Sequence, residues 1–199
     1  MITKTALTSV PLHDLIANRW SPRAIAANKA VSKTDLLALL EAARWSPSCY
    51  NDQPWRFVVF DKSTDLARWE MALSVLVEKN QLWAKNAPIL ILSVAMANFT
   101  RNGAPNRWSS YDTGAASISL SLQATALGLV VHQMGGFDAS KARELFGLPE
   151  DCRPMAMLAV GYQCEMDGLA DDFKAEEAAE RRRNPLAEQF FAGQWGVGF

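Results

Sequence analysis

Leu12, Leu15 and Ile16 fall on one side of a helical wheel, which predicts a short amphipathic helix over residues 11–18. Ser32 is placed to cap the next helix, with Asp35 three residues on as its capping-box partner. Leu36, Leu37, Leu39, Leu40 and Ala43 give that helix a broad apolar stripe. It must stop before Pro47, because the residue preceding proline resists the helical region. Residues 45–54 therefore read as a loop and 55–60 (WRFVVF) as a strand. A helix is predicted over 64–79, with Leu66, Trp69, Leu73 and Leu76 inward. The continuous apolar run at 88–95 (PILILSVA) marks a central strand covered on both faces. Residues 111–127 form a largely uncharged helix, ended by Gly128. A short strand over 129–133 runs into Met134, Gly135, Gly136 and Phe137; Asp138 then caps a brief helix through Phe146. Residues 155–162 are the last clear strand. Helices and strands interleave without a strict βαβ rhythm, and no internal repeat is present. The pattern predicts one α+β domain over 1–199, with a mixed sheet flanked by helices.

Composition narrows the class. A chain of 199 residues, 49 % hydrophobic and 21 % charged, can bury a core without a metal or disulfide staple. Twenty basic and 21 acidic residues leave a net charge of −1, which offers no long-range field to nucleic acid or an anionic membrane. Cys49, Cys152 and Cys164 are odd in number and widely spaced, against a disulfide framework or zinc site and in favour of a cytoplasmic setting. Residues 113–137 lack Asp, Glu, Lys and Arg and could span a bilayer by length. Ser117, Ser119, Ser121, Gln123 and Gln133 make that stretch polar on several faces, so a helix buried in a core or a subunit interface is the better reading.

Much familiar chemistry is missing. Two histidines, His13 and His132, cannot build a histidine-rich metal site, and no zinc-protease, nucleophile-elbow, P-loop or G-x-G-x-x-G pattern occurs. The last absence speaks against a Rossmann dehydrogenase. His132 lies in an apolar strand and reads as a satisfied core or interface histidine rather than a base.

Four segments hold polar or glycine residues beyond what a merely structural domain needs. Arg19-Trp20-Ser21-Pro22-Arg23 offers two guanidinium forks and a hydroxyl suited to a phosphate, though alone it is equally a solvated helix end. Residues 45–57 (WSPSCYNDQPWRF) form a loop stiffened by two prolines, presenting Ser48, Asn51 and Gln53 just before a strand. Such a loop can bind the heteroatoms of a planar ring, or serve simply as a helix-to-strand connection. At Met134-Gly135-Gly136-Phe137-Asp138, adjacent glycines either admit a ligand close to the backbone N–H groups or make a tight turn. Arg181-Arg182-Arg183 is by itself a solvated run; brought next to Arg19 and Arg23 it would be a phosphate clamp.

Taken in order, RWSPR, ARWSPSCYNDQPWRF, MGGFD, and RRRNPL followed by QWG resemble the nitroreductase-like flavoproteins over nearly the whole chain. That resemblance implies an intertwined α+β homodimer with a long interface helix, here 111–127, and a C-terminal arm from about 165 to 199 exchanged between subunits. It implies FMN as cofactor and NADH or NADPH as electron donor. By the resemblance, Arg19, Ser21 and Arg23 hold the FMN phosphate, the ribityl chain or the ring's pyrimidine edge, and Arg181 and Arg183 complete the phosphate site. Pro47, Ser48, Cys49 and Asn51 reach the ring from the partner subunit. Asn80 contacts the ring, and the backbone of Gly135 and Gly136 lies near its N5. Cys49 stands where relatives often have serine, and Trp83 where some have a cofactor-contacting lysine. The implied chemistry is ping-pong transfer from the nicotinamide to a small-molecule acceptor such as a quinone or nitroaromatic, with no catalytic side chain required. The alternatives are a specialised relative (an aldehyde-type reductase or dehalogenase) and a flavin-binding sensor without turnover. Residues 98–108 are expected to form a mobile wall of the cleft.

Overall fold

The computed structural model describes residues 2–199. Four strands form one sheet in the order β1 (Trp55–Asp61), β2 (Ile89–Met96), β4 (Cys152–Gly161), β3 (Val130–Met134). Every ladder is antiparallel, where the sequence pattern predicts a mixed sheet. The reason lies in where the connections return. Asp61 pairs with Ile89, and Lys62 N–H donates to the Pro88 carbonyl, so β2 starts beside the end of β1. No local propensity records that choice.

Helices α1 (Asp14–Asn18) and α2 (Lys33–Arg44) precede the sheet, and α2 has its expected Ser32 cap, accepting from Asp35 N–H. Helices α3 (Leu66–Ser74) and α4 (Glu78–Ala84) replace the single helix predicted over 64–79. The break has a physical cause. Val77 N–H donates to the Gly136 carbonyl and Val75 C=O accepts from Asp138 N–H, so the intervening residues serve a bridge to the glycine turn instead of a helix. Helix α5 (Ser109–Ala126) is the long central one, and Gly128 follows it at φ +70°, a left-handed conformation that a side chain resists. Helix α6 (Ala139–Phe146) carries the expected Asp138 cap, and α7 (Asp171–Ala178) closes the regular structure.

Side chains of β2 alternate between two cores. Ile89 and Ile91 join Leu39, Leu120, Ala124 and Leu158 between the sheet and helices α2 and α5. Leu90, Leu92 and Val94 join Trp69, Leu76, Trp83 and Phe173 on the opposite face. This double covering accounts for the uninterrupted apolar run at 88–95. Serine hydroxyls let α5 sit in the centre, since Ser117 and Ser121 donate to carbonyls one turn back. No helix among the described residues is long and apolar enough to cross a membrane.

Helix α5 also shows an outward stripe without charge, with Tyr111 80 % and Ile118 42 % exposed and Gly114 between them. The tail adds exposed Phe190, Trp195 and Phe199. Residues 165–178, by contrast, are seated on this chain, with Leu169, Phe173 and Glu177 buried.

Candidate functional site

Arg19 caps the C-terminal end of α1, and residues 180–186 pass in front of it after α7. Together with residues 6–10 they border a cleft of about 820 Å³ lined by Arg19, Arg181, Arg182 and Arg183. Burial, and then the charge of Arg183, lower the affinity of the Arg19 guanidinium for its proton; burial and the charges of Arg19 and Arg183 do the same for Arg181. Arg181 is fixed by donating to the carbonyls of Lys4 and Ala17, and Arg183 donates to the Arg182 carbonyl. No carboxylate pairs with Arg19, Arg181 or Arg183 among the described residues; the only acid paired in this run is Glu180, 3.8 Å from Arg182. Four arginines in one cleft whose lining holds a single acid, Glu180, are an arrangement that an anion would stabilise.

Arg23 is turned elsewhere. Its guanidinium pairs with Glu176 at 2.7 Å, so the cation cluster is built from Arg19 and the 181–183 run without it. Ser21 and Pro22 present carbonyls to the His132 ring; the Pro22 oxygen lies 3.1 Å from Nδ1. Burial holds the His132 imidazole down to about 4, and its ring packs 4.5 Å from that of Trp83. Trp83 is 1 % exposed, which makes it a core residue unable to touch a ligand.

The glycine turn and α4 meet directly. Asn80 Nδ2 donates to the Gly136 carbonyl at 3.1 Å. A Cβ at Gly136 would lie 2.9 Å from both Asn80 Nδ2 and Val77 Cγ2, so only glycine fits there. The N–H groups of Gly135 and Gly136 find no acceptor among the described residues, leaving two donors beside the Asn80 amide.

The proline-braced loop lies apart from the arginine cleft in this chain. Ser46 Oγ donates to Ser119 Oγ of α5, and Asp112 of α5 accepts from Cys49 N–H at 3.0 Å. Tyr50, Asn51 and Gln53 all have φ between +51° and +55°. Three non-glycine residues in that region carry roughly 1–2 kcal/mol of strain each, which the surrounding bonds must offset. Ser48 Oγ accepting from Gln53 N–H, and Gln53 Nε2 donating to the Asn51 carbonyl, are such bonds. Asp52 accepts from Thr100 N–H and Asn106 Nδ2, tying this loop to residues 98–108. The latter segment is itself knitted by Phe99–Ala104 and Gly103–Phe99 backbone bonds.

The structure thus gathers Arg19, Arg181 and Arg183 at one cleft, and Asn80 with Gly135 and Gly136 at one turn; Pro47, Ser48, Cys49 and Asn51 share a separate loop. Sequence reasoning missed Lys79, Asp112, Glu176 and Glu177. The last two lie in the acidic run 171–180, where nothing distinguishes a buried glutamate from its solvated neighbours.

An antiparallel sheet between helical layers, with a cation-lined cleft at the C-terminal end of its first helix, defines an α+β protein. The nitroreductase family model matches residues 16–162, and the chain belongs to that family. A crystal structure of an FMN-containing oxidoreductase superimposes with a TM-score of 0.91 at 34 % identity, covering 99 % of each chain. An uncharacterised 15.4 kDa protein from Mycolicibacterium smegmatis is 34 % identical over 125 residues, 62 % of this chain and 82 % of that one. The major NAD(P)H-flavin oxidoreductase of Aliivibrio fischeri is 33 % identical over 96 residues, 48 % of this chain; the match spans 44 % of that relative's own length.

Proposed function

We propose that the chain is an FMN-dependent NAD(P)H oxidoreductase, acting as a homodimer on electrophilic small molecules such as nitroaromatics or quinones. The observation that carries this reading is the crowding of Arg19, Arg181 and Arg183 around one cleft with no acidic partner. A phosphate monoester carries close to two negative charges at neutral pH and would relieve that repulsion. The donor set fits the rest of FMN as well. Ser21 and Arg23 continue the Arg19 segment, Asn80 offers a side-chain amide, and the free N–H groups of Gly135 and Gly136 suit an electron-rich ring nitrogen.

When bound, FMN supplies the hydride-accepting and electron-donating chemistry, taken from NADH or NADPH and passed to the acceptor in turn. The protein's own part is to bind and orient. Arg19, Arg181 and Arg183 would hold the phosphate, and Gly136, which has no room for a Cβ beside Asn80 and Val77, would let the turn bring its N–H groups to the ring. Pro47, Ser48, Cys49 and Asn51 complete the site across a two-fold axis, from the strained loop of the partner subunit. The uncharged stripe of α5 through Tyr111, Gly114 and Ile118 and the aromatic residues of 186–199 are the surfaces that such a dimer would cover.

The test is to strip and reload the purified protein. FMN is expected to restore a yellow, NAD(P)H-reducible species that turns over menadione. An apoprotein that takes up no FMN would overturn the proposal, and bound FMN without turnover would favour the sensor.

A further inference from the structure

Arg23 is held at both its main chain and its side chain by two consecutive residues of α7. Glu177, 1 % exposed, places Oε1 3.0 Å from Arg23 N and 3.1 Å from Ala24 N, and Oε2 3.0 Å from Arg23 N. Both N–H groups donate to this one carboxylate. The neighbouring Glu176 pairs through Oε2 with the Arg23 guanidinium at 2.7 Å and through Oε1 with Lys79 Nζ at 2.9 Å. Both cations also lie 5.7 Å from the centre of the Phe173 ring, one turn earlier on the helix. From the other side, His132 meets the Pro22 carbonyl.

Burying a carboxylate is costly unless its acceptors are filled, and replacing it with an apolar residue would serve packing equally well. What a buried carboxylate does that an apolar side chain cannot is to aim two backbone N–H groups. Glu176 does something different: it sets one negative charge against two positive ones, Arg23 and Lys79, the latter immediately before Asn80 in sequence.

We infer that Glu177 and Glu176 are positioning residues for the cofactor: Glu177 fixes the path of residues 21–24, and Glu176 sets the direction and net charge of the Arg23–Lys79 pair. The inference rests on the FMN reading for its functional part, while the clasp itself exists in the flavin-free protein. It also gives the C-terminal segment a role within its own subunit, distinct from any reach to a partner.

The experiment compares wild type, Glu177→Gln, Glu177→Asp and Glu176→Gln. Amide hydrogen exchange on the apoprotein reads the clasp without flavin. Protection of Arg23 and Ala24 is expected in wild type and Glu176→Gln and falls, at Arg23 above all, in Glu177→Gln, whose Nε2 in place of Oε2 sets a donor against the Arg23 N–H. FMN titration of the same apoproteins is expected to show an affinity about tenfold or more weaker for Glu177→Gln, the consequence of losing a charge-assisted bond, with partial recovery in Glu177→Asp. Glu176→Gln, on the solvent side, should bind FMN with less than about a threefold change, yet raise the flavin midpoint potential, since uncompensated cations favour the electron-rich ring. Unchanged exchange at residues 23 and 24 in Glu177→Gln, or an unchanged potential in Glu176→Gln, overturns the inference. Should Glu177→Gln fail to fold, the potential of Glu176→Gln decides. If wild type takes up no FMN, the functional reading fails, while exchange still judges the clasp.

Discussion

Lowering the pH from 7 to 5 perturbs one deeply placed group, His132. Its imidazole has an ordinary value of 6.5 and is held at about 4 in the folded chain, chiefly by burial, with the Arg23 charge adding to the effect. The carbonyls of Pro22 and Ser21 and the charge of Glu176 pull in the opposite direction and lose. Unfolded chains bind a proton here below 6.5, and folded ones do not until about 4. Stability is therefore intact above the unfolded value and falls as the pH drops through that window. The full loss integrates to about 3 kcal/mol, and to about 2 kcal/mol by pH 5. Many carboxylates titrate in the same range, so the assay needs a subtraction. His132→Asn keeps an N–H for the Pro22 carbonyl and cannot titrate. Urea unfolding of both proteins at fixed concentration, at pH 7 and pH 5, should show wild type losing about 2 kcal/mol more than the variant. Equal losses in the two proteins would refute the argument that the ring is buried neutral.

Arg183→Gln should raise the thermal stability of the apoprotein by relieving repulsion with Arg19 and Arg181, while weakening FMN by about tenfold; scanning fluorimetry and flavin titration read the two opposed effects. Inorganic phosphate should stabilise wild type more than Arg183→Gln. Gly136→Ala forces Val77 and Asn80 apart and is expected to cost about 1–3 kcal/mol by denaturant unfolding, with weaker FMN binding. Leu120→Ala empties a fully buried site between α5 and the sheet, for a loss of about 2–5 kcal/mol and no specific effect on flavin affinity.

Local patterns carried most of the element list. Ser32 and Asp138 announce their helices because a cap is a short-range hydrogen bond, and Gly128 ends α5 because its left-handed φ is a local matter. The apolar run of β2 reveals its double covering for the same reason. Antiparallel pairing throughout was illegible, because the return path from Asp61 to Ile89 depends on how α3 and α4 pack. The break at Val77 was equally hidden, since its partner Gly136 lies far along the chain.

At the site the division is sharper. By itself the sequence determined which chemical groups are available: arginine forks, a proline-stiffened amide loop and adjacent glycines, each set by residue type and near neighbours. Only the tertiary structure decided their company. It joined Arg19 to Arg181 and Arg183, turned Arg23 away to Glu176, and buried Glu177 beneath residues 23 and 24. Glu176 and Glu177 look alike as letters in an acidic run; one is exposed and the other buried because of how α7 is rotated on the core, and that rotation is fixed by contacts with residues some 150 positions away.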